Sequence, residues 1–181
     1  LALLELFGES LLPRENHYWI CPLLNPAGVV CGNRENHQGI DLNRDYSEAR
    51  SEEIRAHVSW VESNLSKLDL CLHLHEDWES QGFYLYELNF ADAPGKADLI
   101  LEAVRAHLPI ENAEQIDGSP AKDGKIQPES LPQVEGGDPE AIYLQKQFGG
   151  LNYTLETPSA WPLEERVKAH KAAVLAAIGL Q

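Results

Sequence analysis

Methionine is absent from all 181 residues, cysteine occurs three times, and basic residues are outnumbered 14 to 29 by acidic ones. Each shortage excludes something. A chain without methionine does not begin at a translation start, and it opens on LALLELF, inside what reads as an amphipathic helix. The expectation is a fragment or processed form of a longer protein. Cys21, Cys31 and Cys71 are odd in number, scattered and without CxxC spacing, which argues against a disulfide scaffold and for a reducing, cytoplasmic setting. The net charge of −15 leaves no basic footprint for nucleic acid and repels anionic membranes. No apolar run approaches a membrane span, and no signal peptide is visible. What remains, 43% hydrophobic and 24% charged residues over residues 1–181, suits one globular domain with a sizeable core.

Taken in order, residues 1–7 read as a helix end stopped by Gly8. Residues 18–24 (YWICPLL) form a short apolar run that reads as a buried strand despite Pro22, and they lead into Asn25-Pro26-Ala27-Gly28, which is turn chemistry. Residues 51–65 carry Ile54, Val58, Val61 and Leu65 at helical spacing behind Ser51. Residues 68–75 (LDLCLHLH) alternate as a strand, and the aromatic-rich 82–88 follow as a second. Helical spacing returns over 96–108. Residues 110–139 are polar and rich in Gly, Pro, Asp and Glu, the character of an active-site loop or a mobile excursion rather than a linker. Residues 151–156 (LNYTLE) alternate again, and 163–178 close the chain as an Ala-rich helix. Strands alternating with helices predict an α/β fold, in which function gathers where strands end.

The chemistry-bearing residues lie at such ends. His73 and His75, at i and i+2 of one strand, point to one face, where they could hold a metal or serve as hydrogen-bonded core histidines. Glu76 and Asp77 follow, and carboxylates of that kind fix a histidine's tautomer. Glu156 ends its strand on the face shared with Asn152 and Thr154. It could act as a general base on water, or be an exposed strand-end glutamate. Arg34, Asn43 and Arg44 belong to the segment 25–46 (NPAGVVCGNRENHQGIDLNRDY), which has little apolar periodicity. Guanidinium groups there could polarise a carbonyl, clamp a carboxylate, or form structural ion pairs. Asp41 could support a histidine or cap the turn. Together these residues suit hydrolysis of a bond beside a carboxylate.

In this order, NPAG (Asn25–Gly28), Arg34 with Asn36, GIDLNRDY (Gly39–Tyr46), LHLHEDWE (Leu72–Glu79) and TLETPS (Thr154–Ser159) resemble the zinc metallocarboxypeptidases, the carboxypeptidase A-like family. The resemblance implies a mixed, mostly parallel central sheet flanked by helices, lacking its N-terminal part. It also implies a zinc-dependent hydrolase, a metallopeptidase acting in proteolysis on peptides with a free C-terminal carboxylate. By residue, it implies Arg34 as carbonyl polariser and Asn43 with Arg44 as the carboxylate clamp. Asp41 would support a zinc-bound histidine, and Glu156 would be the catalytic base. His75, with His73 as alternative, would be a zinc ligand, and Tyr143 the mobile substrate-side tyrosine. The family's HxxE ligand pair has no counterpart upstream of Asn25. Two rival expectations follow: an N-acyl amino acid deacylase resembling the aspartoacylase and succinylglutamate desuccinylase group, or a non-catalytic module that keeps only the carboxylate clamp.

Overall fold

The computed structural model describes residues 1–8, 12–13, 15–91 and 93–180. Its centre is a sheet of four strands in the order β1 (Leu70–Asp77), β6 (Leu151–Pro158), β2 (Tyr84–Leu88), β5 (Lys125–Ile126). The pairs β1–β6 and β2–β5 are parallel and β2–β6 is antiparallel, so the sheet is mixed and mostly parallel. Alternation along the strands sorts their residues into two faces. Leu70, Leu72 and Leu74 of β1 join Phe83, Leu85, Tyr153 and Leu155 in a core against helices α4 (Ala97–Val104) and α6 (Leu163–Ala177). Ala169, Ala173 and Ala177 lie four apart on α6 and are fully buried there. These small side chains let α6 seat closely over the sheet. α1 (Ala2–Gly8) packs outside α6, with Leu6 completely buried.

The opposite face is covered by α3 (Glu52–Asn64) and α5 (Glu140–Phe148), whose Ile54, Val61, Tyr143 and Leu144 enclose Leu42 and Tyr46. Ser51 starts α3 by accepting the Ile54 N–H at 3.2 Å, while its own hydroxyl donates to buried Asp45 at 2.7 Å. No helix among the described residues is long and apolar enough to cross a membrane.

Three expectations change. Residues 18–24 form no strand: Pro22 lacks a donor, Trp19 and Leu23 are exposed, and Trp19 packs edge-on to Trp60 of α3 at 5.0 Å instead. Asn25–Gly28 is more than a turn, because it opens the helix α2 (Pro26–Cys31), capped by the Asn25 side chain and stopped by Gly32 at φ 67°. The irregular 110–139 contains the hairpin β3 (Gln115–Ile116) and β4 (Ser119–Pro120), then β5 at the sheet's edge.

Candidate active site

The site is built on the polar face of three adjacent strands. Register places His75 beside Glu156 and Glu156 beside Tyr84 in one row. The row behind holds His73, Thr154 and Tyr86. β1 and β6 run parallel, so His75 and Glu156 both stand near their strands' C-terminal ends, where an α/β sheet presents its loops.

The two histidines divide. His73 is buried, with Nδ1 3.1 Å from the Glu140 carboxylate and Nε2 3.3 Å from the Cys71 sulfur. Burial works against its charge, but the Cys71 thiol and Glu140 push its pKa well above the usual value. Both nitrogens are engaged, so His73 is the hydrogen-bonded core histidine. The His75 ring makes no hydrogen bond among the described residues. Burial first, then His73, and also Arg34 and Arg44 against an opposing Glu140, hold its pKa down at about 4. It stays neutral at physiological pH, the form in which imidazole binds a metal. Its carbonyl is held by His170 Nε2 at 3.1 Å and the Thr157 hydroxyl at 3.3 Å.

Glu156 also lacks a hydrogen-bond partner among the described residues. Burial and then the charges of Asp77 and Asp117, opposed by Arg34, raise its pKa to about 8. A carboxyl tuned into that range can take and return a proton near neutral pH. Its two acidic neighbours are fixed by tyrosines of β2, Tyr84 donating to Asp77 at 3.2 Å and Tyr86 to Asp117 at 2.8 Å.

The arginines stand within electrostatic reach of these groups, Arg34 of both Glu156 and His75, and Arg44 of His75. Asn25 links Arg34 to α2, accepting the Gly28 N–H at 2.8 Å and donating to the Arg34 carbonyl at 3.0 Å. A Cβ on Gly28 would lie 2.2 Å from the Asn25 side chain, so this link needs glycine. Asp41 receives Arg34 Nε at 2.7 Å and the Asn43 N–H at 3.0 Å. It therefore steers an arginine and caps a 3-10 turn, Leu42–Arg44, rather than supporting a histidine among the described residues. Among the described residues the Arg34 terminal nitrogens make no hydrogen bond, and its side chain is 61% exposed. Arg44 is steadied by its contact with the Asn43 carbonyl at 2.7 Å. The Asn43 side-chain oxygen accepts the Glu140 N–H at 2.9 Å, which leaves its NH2 group to donate outward.

Tyr143 does not join the group. It is 7% exposed in the α3–α5 core and donates to Glu62 at 2.8 Å, so packing commits it where a mobile tyrosine would have to be free. Sequence reasoning did not find Glu140, which bridges His73 and His57, or the tyrosines that anchor the acidic side. Burial alone would raise the pKa of Glu140, but the His73 hydrogen bond and the charges of His73, His57 and His75 hold it at about 2.

A search of family models and one of curated proteins match nothing. Solved structures do match. A candidate metallopeptidase from Shewanella denitrificans aligns at TM-score 0.72 and 26% identity, over 87% of this chain and 58% of its own. One from Shewanella baltica gives 0.69 and 25%, over 84% and 59%. A metallo-carboxypeptidase from Burkholderia cenocepacia gives 0.58 and 27%, over 88% and 44%. The chain has a zinc carboxypeptidase-like fold. It spans about three fifths of the Shewanella proteins and under half of the Burkholderia one.

The names of these neighbours imply a metal, and in a zinc carboxypeptidase-like fold that metal is typically zinc. A catalytic zinc of this kind needs three protein ligands. His75, neutral and with ring nitrogens that make no hydrogen bond among the described residues, fits as one. Among the described residues no group of three or more His, Cys, Asp or Glu side chains could hold the ion. These residues alone do not make the centre.

Proposed function

We propose that the protein is a zinc-dependent metallocarboxypeptidase, hydrolysing a peptide bond next to a free C-terminal carboxylate. In this reading the chain supplies the parts that recognise the carboxylate and move the proton. The supporting observation is that the Arg34 charge reaches both Glu156 and His75 and the Arg44 charge reaches His75, beside an Asn43 NH2 left to donate and a Glu156 whose raised pKa goes with no hydrogen-bond partner among the described residues.

In the proposed mechanism, Arg44 and Asn43 grip the terminal carboxylate, a planar anion matched by a guanidinium fork. Arg34, oriented by Asp41, donates to the scissile carbonyl oxygen as negative charge develops there. Glu156 removes a proton from the attacking water and returns it to the leaving amine, a double task suited to a carboxyl with a pKa near 8. The metal, when bound, supplies Lewis acidity. The proposed setting is cytoplasmic, in keeping with the free thiols of Cys21, Cys31 and Cys71.

The test uses the intact, zinc-loaded protein. Blocked dipeptides with a free C-terminal carboxylate should be cleaved, and the same dipeptides amidated at that end should not. Glu156→Gln should lower kcat by roughly 10²–10⁴-fold, the usual share of a positioned acid–base group. Near-normal turnover in that variant would remove the role given to Glu156. Cleavage of N-acyl amino acids in place of peptides would move the assignment to the deacylase group. A purified protein that binds no zinc would move it to a carboxylate-binding module.

A further inference from the structure

Glu140 has no part in the chemistry above, yet its residue touches the proposed carboxylate clamp, both buried histidines of this face and the start of a helix. Its carboxylate lies between two imidazoles, 3.1 Å from His73 Nδ1 on β1 and 3.6 Å from His57 Nδ1 on α3. His57 is further fixed by the Tyr46 hydroxyl, 2.8 Å from the same nitrogen. The Glu140 main-chain N–H, one of the donors a helix start leaves without an internal partner, goes to the Asn43 side-chain oxygen at 2.9 Å.

Two further contacts bind the same lead-in to the same segment. The Asp138 N–H donates to the Ser47 hydroxyl at 2.8 Å. Gly137, at φ 123°, passes so close to Arg44 that a Cβ would lie 2.2 Å from its carbonyl oxygen. The chain before α5 is thus moulded onto residues 43–47, and the Glu140 carboxylate, together with the Ala141 carbonyl that accepts from Asn152 of β6, ties the start of α5 to the sheet.

We infer that Glu140 is a positioning residue for carboxylate recognition: by seating the start of α5 between His57 and His73, it orients the Asn43 amide and sets the Arg44 backbone. The consequence is chemical. An amide can present either its oxygen or its NH2 to a ligand, and only the NH2 attracts a carboxylate. With the Asn43 oxygen already taken by the Glu140 N–H, the NH2 is the end left to present. If the helix start shifts by an ångström, the amide is free to rotate and the donor set loses its aim. This inference rests on the clamp role given to Asn43 and Arg44.

The experiment compares ligands that differ only at the recognised group. Binding of acetyl-phenylalanine and of acetyl-phenylalanine amide to the intact protein would be measured by calorimetry or ligand-observed NMR. The proteins would be wild type, Glu140→Ala and Glu140→Gln. Wild type should favour the acid. Glu140→Ala should lose roughly ten- to a hundredfold in affinity for the acid with little change for the amide, the scale expected of a misplaced contact. Glu140→Gln keeps the size of the side chain and can still accept from His73 through its amide oxygen, but it loses the charge that faces His57, so it should lose less. It also provides the test if the alanine variant does not fold. A merely structural role would weaken acid and amide alike, and variants that keep the wild-type acid-to-amide ratio overturn the inference. A wild type with no preference for the acid instead removes the clamp reading beneath it.

Discussion

The two faces of the β1–β6 pair are made by alternate residues of the same two strands, and they are held by different forces. One carries Leu70, Leu72, Leu74, Tyr153 and Leu155 against α4 and α6, a core in which shape and apolar area decide stability. The other carries Cys71, His73, His75, Asn152, Thr154 and Glu156, where stability depends on whether each polar group finds a partner. On that second face the bonded His73 and the Asn152 NH2 lie behind, where the buried Asn152 side-chain oxygen has no partner among the described residues, and His75 and Glu156 lie in front. His73 and Asn152 are bonded to Glu140 and the Ala141 carbonyl. His75 and Glu156, nearer the strand ends, have no side-chain hydrogen bond among the described residues. Groups left without a partner beside bonded ones mark where a ligand would supply the missing contacts.

The sharpest way to break this comparison is to change neighbours on one strand. Leu155→Ala, on the core face and fully buried, should cost about 3–4 kcal/mol through lost transfer energy and the cavity left behind. Urea or guanidinium unfolding would measure it. A cost below about 1 kcal/mol would mean that the α4–α6 core is not the stabilising one.

Glu156→Gln, the next residue along, should do the reverse. A carboxyl raised from 4.5 to about 8 binds its proton more tightly in the folded than in the unfolded state. Folding stability therefore falls as pH rises from about 4.5 to about 8, and the penalty is complete above that. In the metal-free protein the glutamine variant escapes it and should be more stable at pH 9 by about 2–3 kcal/mol, discounted from the full shift for solvent screening. Below about pH 4 the two should melt alike. A variant less stable than wild type at high pH would show that Glu156 is held by partners after all.

The core face was readable from sequence and the polar face only in part, for a physical reason. Apolar period, 3.6 or 2, records which residues face the interior, and it places α3, α4, α6, β1, β2 and β6 near their observed positions. Residues 18–24 failed because hydrophobicity alone does not supply a pairing partner. The caps of α2 and the Asp117-Gly118 and Asp123-Gly124 turns were legible in principle. Both Asp-Gly pairs adopt left-handed φ, the mark of tight hairpin turns, and each carries the chain into a short pairing. The candidate residues Arg34, Asp41, Asn43, Arg44, His75 and Glu156 could be singled out because their type and order carry information. Glu140 was not, because its role depends on meeting His57 and His73 from distant parts of the chain, and no local pattern encodes that.

The start of α3 follows the proposed clamp closely in the chain. Ser51→Ala removes the α3 cap and leaves one oxygen of fully buried Asp45 without a hydroxyl donor. The loss should be about 1–2 kcal/mol. The Asp45 pKa is depressed: burial opposes its charge, but hydrogen bonds from Ser51 and Arg50 outweigh that. Its share of stability is present above the unfolded carboxyl pKa and fades as pH falls through the folded one. Because the hydroxyl is one of those bonds, the gap between wild type and variant should be widest near neutral pH and narrow in acid, as followed by thermal melts at a series of pH values. An equal gap at every pH would assign the whole effect to the helix cap.

The smallest expected change is the most specific to the polar face. Tyr86→Phe deletes the hydroxyl that holds Asp117 at 2.8 Å and leaves the ring in its cluster with Tyr84, Ile116 and Ile126. Stability should fall by about 1 kcal/mol or less, the net worth of a part-exposed hydrogen bond. The larger signal should be electrostatic. Asp117 sits at the tip of the β3–β4 hairpin, and that hydroxyl fixes it where its charge raises the Glu156 pKa. Released into solvent, it would be screened by water, and Glu156 should titrate lower than its value of about 8. Carbon-detected NMR of the glutamate side chains would follow this directly. A Glu156 titration unmoved by Tyr86→Phe would place its origin in burial and Asp77 alone. The hairpin would then be a bystander to the site rather than one of its walls.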